Sequence, residues 1–393
     1  DLRRHWASRQ DTPWTNPSQC GRTHTHSHSL MQSHTTYNLE MPINLQCMSL
    51  DRGRKPEYPE ETPEAWGDHA NSTHTWRRQE SNPQPWRFMA TMRDLGKRAA
   101  LETAAGETLG RSLEIRQLDV CCEDSIRECV NSLPDRRIDI LVSNAGMGMI
   151  GPLECQSLKA MQDIFNTNFF GLVRLVKEVL PDMKRRRSGH IVVMSSVMGI
   201  QGLLFNDIYS ASKFAVEGFC ESLAVQALKF NINITLVEPG PVLTEFERKI
   251  YEDAGNMDLS GTDEETARIF REIYIPNSEN VFTSLGQSPE EVAEWSLESD
   301  CLRLWTGVFY TDNEFKQVPL IQQTFQLIVS KDPPFRHQTN LLYTPLTAMK
   351  HTDPTGVLPL DVFYKLTFTH GWVFNLSLSL MRVLQRRMRK SKV

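Results

Sequence analysis

"IDILVSNAG", residues 138–146, decides how this chain folds. Ile138 to Val142 is an almost unbroken apolar run, and it ends in a small, turn-forming Asn-Ala-Gly. A run this short and apolar on both faces suits a strand with helices above and below it, the habit of parallel sheets. The same texture extends in both directions. "RFMATM" (87–92) predicts a strand, a polar helix over 97–107 follows, and "SLEIRQLDV" (112–120) predicts a second strand. A helix over 123–133 then leads into the quoted stretch. Beyond it, a helix ending in the basic "KRRRSGH" (184–190) precedes "IVVMSS" (191–196), a helix opened by Asp207, and "INITLVEPG" (232–240). Strands alternating with helices predict an α/β fold, and right-handed crossovers make it a Rossmann-type, doubly wound parallel sheet. Ligands of such sheets lie at the carboxyl ends of the strands. Asp119, Asn144 to Gly146, Ser196 and Pro239–Gly240 all stand there.

Composition narrows the class. The 393 residues carry a net charge of −5, with 40% hydrophobic and 23% charged side chains, which suits a soluble globular protein and gives no reason to expect nucleic acid. No run of about twenty apolar residues exists to span a membrane. The eight cysteines include an adjacent pair, Cys121 and Cys122, but no C-x-x-C, so they read as free thiols in a reducing compartment.

Residues 1–86 differ in kind. They hold seven of the eleven histidines and five of the eight tryptophans, yet no Val and no Phe. That composition predicts a disordered tract, with His24, His26 and His28 part of it rather than a metal site. The chain starts at Asp1 without a charged-then-apolar leader, and reads as a fragment or a translated gene model.

The chemistry is concentrated in "YSASKFAVEGF" (209–219), where Lys213 lies one helical turn beyond Tyr209. A tyrosine near its ordinary pKa of about 10 is a reluctant acid or base, and an adjacent cation is expected to draw it down. This pair stands with "NAG" (144–146), Asn168 in "NTNFFG", Ser196 thirteen residues before Tyr209, and "PGPVLT" (239–244). Together these ordered motifs at this spacing resemble the short-chain dehydrogenase/reductase family, over Arg87 to about Lys350. The resemblance implies that Ser196 holds the substrate oxygen and that Tyr209 transfers the proton. It also implies that Lys213 grips the cofactor ribose and that Asn168 supports a proton-refilling water chain. Cofactor contacts are implied at Arg93, Asp119, Asn144, Ala145, Gly146, Tyr209, Lys213, Pro239, Gly240, Val242 and Thr244. Arg93 after the "RFMATM" strand suits a 2′-phosphate, hence NADP(H), although Asp94 beside it weakens that preference.

"GPLECQSLKAMQDIFNTNFFGLVRLVKEVLPDMKRRRSGHIVVMSSVMG" (151–199) is similar to the branch of the family that handles retinoids and steroids. The expected activity is therefore NADP-dependent interconversion of all-trans-retinal and all-trans-retinol, with a 17-ketosteroid as the alternative substrate. Ser196, Met147, Met149, Leu203, Leu204, Phe205 and Phe246 are the expected substrate side, closed by a lid that includes "ETARIFREIYIP" (265–276). The family often dimerises through the helices bearing Asn168 and Tyr209.

Two departures stand out. The family's T-G-x-x-x-G-x-G loop, which follows a first central strand, has no counterpart, since the glycines before Arg93 are Gly21, Gly53 and Gly67. Loss of that strand predicts a gap in the sheet, and the reading of another class is then a truncated or mis-assembled chain without catalysis. Residues 295–322 read as an insertion between the helix starting at "SPEEVAE" (288–294) and the last strand in "FRHQTNLLYTPL" (335–346).

The organisation expected is a foreign segment at 1–86, the enzyme domain at 87–350 and a tail at 351–393. In that tail Trp372, Val373, Leu376, Leu380, Val383 and Leu384 form an apolar stripe, followed by six basic residues between Arg382 and Lys392. A basic amphipathic helix suits a membrane surface, so the chain is expected to be cytoplasmic and peripherally membrane-associated.

Overall fold

A computed structural model of the chain describes residues 44–49, 87–287 and 332–390. The strands are β1 (Asn44–Ser49), β2 (Arg87–Met92), β3 (Leu113–Gln117), β4 (Ile140–Ser143), β5 (Gly189–Met194), β6 (Ile232–Glu238) and β7 (Arg336–Gln338). They form one seven-stranded sheet in the order β3-β2-β1-β4-β5-β6-β7. Every pairing that leaves out β1 is parallel, as expected for a Rossmann-type sheet.

Helices cover it because the strands are apolar on both faces. Leu141, Ile191 and Leu236 are buried against α4 (Gly171–Arg186) and α5 (Asp207–Leu228). Leu172, Leu175, Val176, Val179 and Met183 give α4 the i, i+3, i+4 spacing of a helix with one buried face. Full burial of each such side chain contributes about 1.5–3 kcal/mol, so this face holds α4 to the sheet. α2 (Glu123–Asn131) packs beside α4 through Ile126, Cys129 and Val130.

The expected gap in the sheet is filled. Among the described residues β1 stands where the family's parallel first strand is expected, antiparallel to β2 on one side and to β4 on the other. The reason is backbone satisfaction. Without a strand between them, β2 and β4 would each hold a row of unpaired N–H and C=O groups inside the fold. The reversal has a consequence for the site. Asn44 pairs with Thr91 and Ser49 with Arg87, so the amino end of β1, and no loop leading into a helix, reaches the carboxyl edge of β2. Apart from β1, the segment 1–86 lies outside the described residues, as do 295–322 and "SPEEVAE".

The polar helix expected over 97–107 is a 3-10 turn, Leu95–Lys97, followed by α1 (Ala99–Ala105). α3 (Leu158–Phe165) runs into a π-helical turn, Asn166–Phe170, before α4. The short lid helix is longer than expected. α6 (Glu245–Gly255) is followed by α7 (Glu264–Arg268), a π-turn at Ile269–Tyr274 and α8 (Ile275–Leu285). Phe205, Phe246, Ile250 and Phe270 bind these helices to the domain as a second apolar core. After β7 come α9 (Thr344–Thr352), α10 (Val357–Tyr364) and α11 (Gly371–Lys390). α11 packs on α8: Leu378 is buried, and the Arg382 Nε donates to Ser284 Oγ at 2.6 Å.

Candidate active site

The carboxyl end of β5 and the first turns of α5 meet residue by residue. Ser196 Oγ accepts from Met198 N at 3.1 Å, which fixes the turn after the strand. The Tyr209 side chain, in the first turn of α5, faces Ser196 across a shared cavity wall. One turn on, Lys213 Nζ donates to the Met194 carbonyl at 2.9 Å and lies 5.8 Å from the centroid of the Tyr209 ring.

Asn168 joins them through the π-turn. The extra residue in that turn rotates the side chain inward, a common device at functional sites. Its Oδ1 accepts from Met147 N at 2.7 Å, while its Nδ2 donates to Met147 O and to Ser212 Oγ, each at 2.9 Å. Asn168 therefore ties the loop after β4 to the helix carrying Tyr209 and Lys213. A Cβ on Gly146 would point into the space between Asn168 Oδ1, 3.7 Å away, and Lys213 Nζ, 4.0 Å away.

Burial dominates the electrostatics. The Tyr209 phenol is raised above its ordinary range by burial, and Glu247 pushes it the same way, against the effect of Ser196. The expected lowering is thus not what this arrangement gives: desolvation sets the direction. Lys213 itself is pushed down to about 8 by burial, which Glu217 opposes. Burial also pushes the Glu247 carboxyl up to about 8.

Tyr209, Ser196 and Lys213 line a single cavity of about 1440 Å³. Asn144, Gly146, Met147 and the loop Pro239–Thr244 share its wall, as do Leu203, Leu204 and Phe246. That volume exceeds the roughly 300–1,000 Å³ of a single-ligand pocket. The loop 239–244 is pinned from below. Gln287 N donates to Pro241 O at 2.9 Å and Leu243 N to Gln287 O at 2.8 Å, with Gln287 held in turn by Thr339.

Two predicted substrate residues are misplaced. Neither Met149 nor Phe205 lines this cavity. Phe205 instead adopts a positive φ of 57° and packs edge-on against Phe270 and Tyr274 in the second core. Alternation along a loop does not reveal which way a left-handed residue points. Arg93, Asp119 and Ala145 also lie off the cavity wall. Arg93 O accepts from Gln117 Nε2 at 3.0 Å at the end of β2, and Asp119 Oδ1 accepts from Cys121 N at 2.8 Å beside α2. Ala145 packs against the main core. Asp94 is committed to a cap, its Oδ1 accepting from Gly96 N at 2.8 Å.

Three contributors escaped the sequence reading. Glu247 lines the cavity from α6. Tyr343 stacks its ring over Gly240, where a Cβ would approach to 2.8 Å, and its hydroxyl is buried without a hydrogen bond. Val373, Phe374, Ser377 and Leu378 of α11 also form part of the wall, while Trp372, Leu376 and Leu380 face outward, more than half exposed. The tail's single apolar stripe is thus two faces.

A family model described as short chain dehydrogenase matches residues 83–255. Retinol dehydrogenase 8 of Bos taurus is 50% identical over 295 residues, covering 75% of this chain and 86% of the relative. The chain belongs to the short-chain dehydrogenase family. The Homo sapiens retinol dehydrogenase 8 is 49% identical to this short-chain dehydrogenase, over 75% of the chain and 85% of the relative. The Homo sapiens 17-beta-hydroxysteroid dehydrogenase type 1 is 38% identical, over 70% of the chain and 75% of the relative.

The nicotinamide and ribose end of a dinucleotide fits this short-chain dehydrogenase. Gly146 leaves open the space beside Lys213 and Asn168, and the 239–244 loop faces the same cavity. Among the described residues, no glycine-rich turn leads from a strand into a helix at β1. Nor do three or more metal-ligating side chains gather there.

Proposed function

We propose that this short-chain dehydrogenase interconverts all-trans-retinal and all-trans-retinol with NADP(H). The observation that carries the reading is the convergence of Ser196, Tyr209 and Lys213 in the wall of one otherwise largely apolar cavity. The 50% identity to a retinol dehydrogenase favours the retinoid over the steroid, whose relative stands at 38%. A nicotinamide cofactor supplies the hydride in reduction and takes it in oxidation.

The chain's own part is orientation and proton movement. Ser196 donates to the carbonyl oxygen and keeps it beside Tyr209. Tyr209 delivers its proton to the oxygen as negative charge develops there, and a phenol held above its ordinary range is fully loaded for that step. Lys213 stabilises the tyrosinate left behind. Asn168 fixes the loop that borders the nicotinamide end. Arg93 receives the 2′-phosphate, with Asp94 turned away onto Gly96 N. The apolar wall excludes water and accepts a long hydrocarbon.

The outward face of α11, with the basic sequence that follows Arg382, rests on an anionic membrane surface from which such a substrate partitions. Among the described residues no helix is long and apolar enough to cross a membrane.

The test is a titration of the purified full chain with NADPH, followed by nicotinamide fluorescence, and turnover of all-trans-retinal with Tyr209→Phe as control. Saturable binding with turnover that falls at least about a thousandfold in Tyr209→Phe is expected. Absence of NADPH binding would refute the assignment. Faster turnover of estrone than of retinal would move the reading to the steroid.

A further inference from the structure

The contacts between the end of β5 and α5 continue past the three residues assigned to proton transfer. Ser196 meets Tyr209, and the Met194 carbonyl holds Lys213. Between those two strand residues, Ser195 Oγ donates to Glu217 Oε1, one further turn along the same helix face. Residues 194, 195 and 196 thus pair with positions 213, 217 and 209 of α5. Ser195 and Glu217 are both almost completely buried. Gly199 closes over them, where a Cβ would lie 2.8 Å from Ser195 Oγ and 2.9 Å from Glu217 Cγ.

Glu217 is in turn held from β7. Arg336 Nη1 donates to Glu217 Oε2 and, at 2.7 Å, to Glu238 Oε1, while its Nη2 bonds the exposed Glu221. Glu238 is fully buried at the end of β6, immediately before Pro239, and also accepts from Gln338 Nε2 at 3.2 Å. One guanidinium therefore joins the helix of Tyr209 and Lys213 to the strand feeding the 239–244 loop, and reaches the strand end of Ser196 through Glu217 and Ser195.

We propose that Arg336 and Glu217 are positioning residues, a buried clamp that keeps Ser196 and Lys213 in register and holds Lys213 in its charged form. This rests on the role given to Lys213 above. Isolated buried carboxylates are costly, so a carboxyl kept one turn below Lys213 and given its own cation has a structural explanation only in part: a hydrophobic residue would pack there at less cost. What the carboxylate adds is charge. Burial acts to discharge Lys213, and Glu217 is the group that opposes it. Burial likewise raises the Glu217 carboxyl, and Ser195 and Arg336 work against that rise. The titratable groups facing this pair are Tyr209 and Cys220 on α5, Glu238 from β6 and Arg336 from β7, with Glu247 of α6 beyond Tyr209 and the exposed Glu221 beyond Arg336.

The experiment reads Lys213 directly. The cofactor-free full chain is labelled with a trace of acetic anhydride across about pH 6 to 11, and Lys213 modification is quantified by mass spectrometry. Removing an adjacent opposite charge shifts such a midpoint on the order of one pH unit. Glu217→Gln is expected to move the Lys213 midpoint that far toward acid, and Ser195→Ala to move it the same way by less. Glu221→Gln, at an exposed partner of Arg336, is expected to leave it in place. With retinal and NADPH, the alkaline limb of kcat/KM follows the labelling midpoint, while KM changes less than kcat. An unmoved Lys213 midpoint in folded Glu217→Gln overturns the clamp; should that variant fail to fold, an unmoved midpoint in Ser195→Ala does so. A shifted midpoint in a chain that turns over no carbonyl supports the clamp and refutes the function. Turnover with an unmoved midpoint does the reverse.

Discussion

Glu247→Gln isolates one carboxyl that the fold holds in a costly place. Its side chain faces an apolar cavity, and burial pushes it from the ordinary 4.5 up to about 8. A group whose folded pKa lies above its unfolded one binds its proton more tightly in the folded state. Its stabilising contribution is therefore complete below the unfolded value and is lost as pH rises through about 8. At about 1.4 kcal/mol per pH unit the full swing would be roughly 4–5 kcal/mol. The side chain is only partly shielded from solvent, so about half of that, about 2 kcal/mol, is expected to survive screening. Glutamine keeps the shape and cannot ionise. Urea unfolding of both proteins at about pH 5 and about pH 9 reads the difference. Near pH 5 the two should be closely matched, and near pH 9 the variant should be more stable by about 2 kcal/mol. Lys213, pushed down to about 8, contributes the opposite slope at higher pH, but it does so in both proteins and cancels. An offset between the two proteins that stays constant from pH 5 to 9 would refute the argument that burial controls this carboxyl.

Two further outcomes test other parts of the molecule. Asn168→Ala removes three buried hydrogen bonds and strands the Met147 backbone groups; unfolding free energy should fall by about 3 kcal/mol, with turnover lost more than substrate binding. Replacing the outward Trp372, Leu376 and Leu380 together with serine should abolish co-sedimentation with vesicles rich in anionic lipid. The unfolding free energy should stay within about 0.5 kcal/mol of the parent, because these side chains are more than half exposed.

The sequence by itself determined the fold class and put Tyr209 and Lys213 on one helix face. Short apolar runs such as Ile140–Val142, bounded by turn residues and alternating with helices, read as strands covered on both faces, and a one-turn spacing on a helix places Tyr209 and Lys213 together whatever surrounds them. Ser196 and the 239–244 loop were legible for the same reason, since each follows directly on a strand end. Only tertiary structure decided that an antiparallel β1 would occupy the centre of the sheet, because the residues of "NLQCMS" carry no signal for the direction in which a strand pairs with neighbours far along the chain. It decided too that α11 would turn one face inward onto the cavity, and that Phe205 would point away from it. It alone brought Arg336 to Glu217, 119 positions apart. Burial, the quantity that sets the charges of Tyr209, Lys213 and Glu247, comes from elements distant in the chain, so no local pattern carries it.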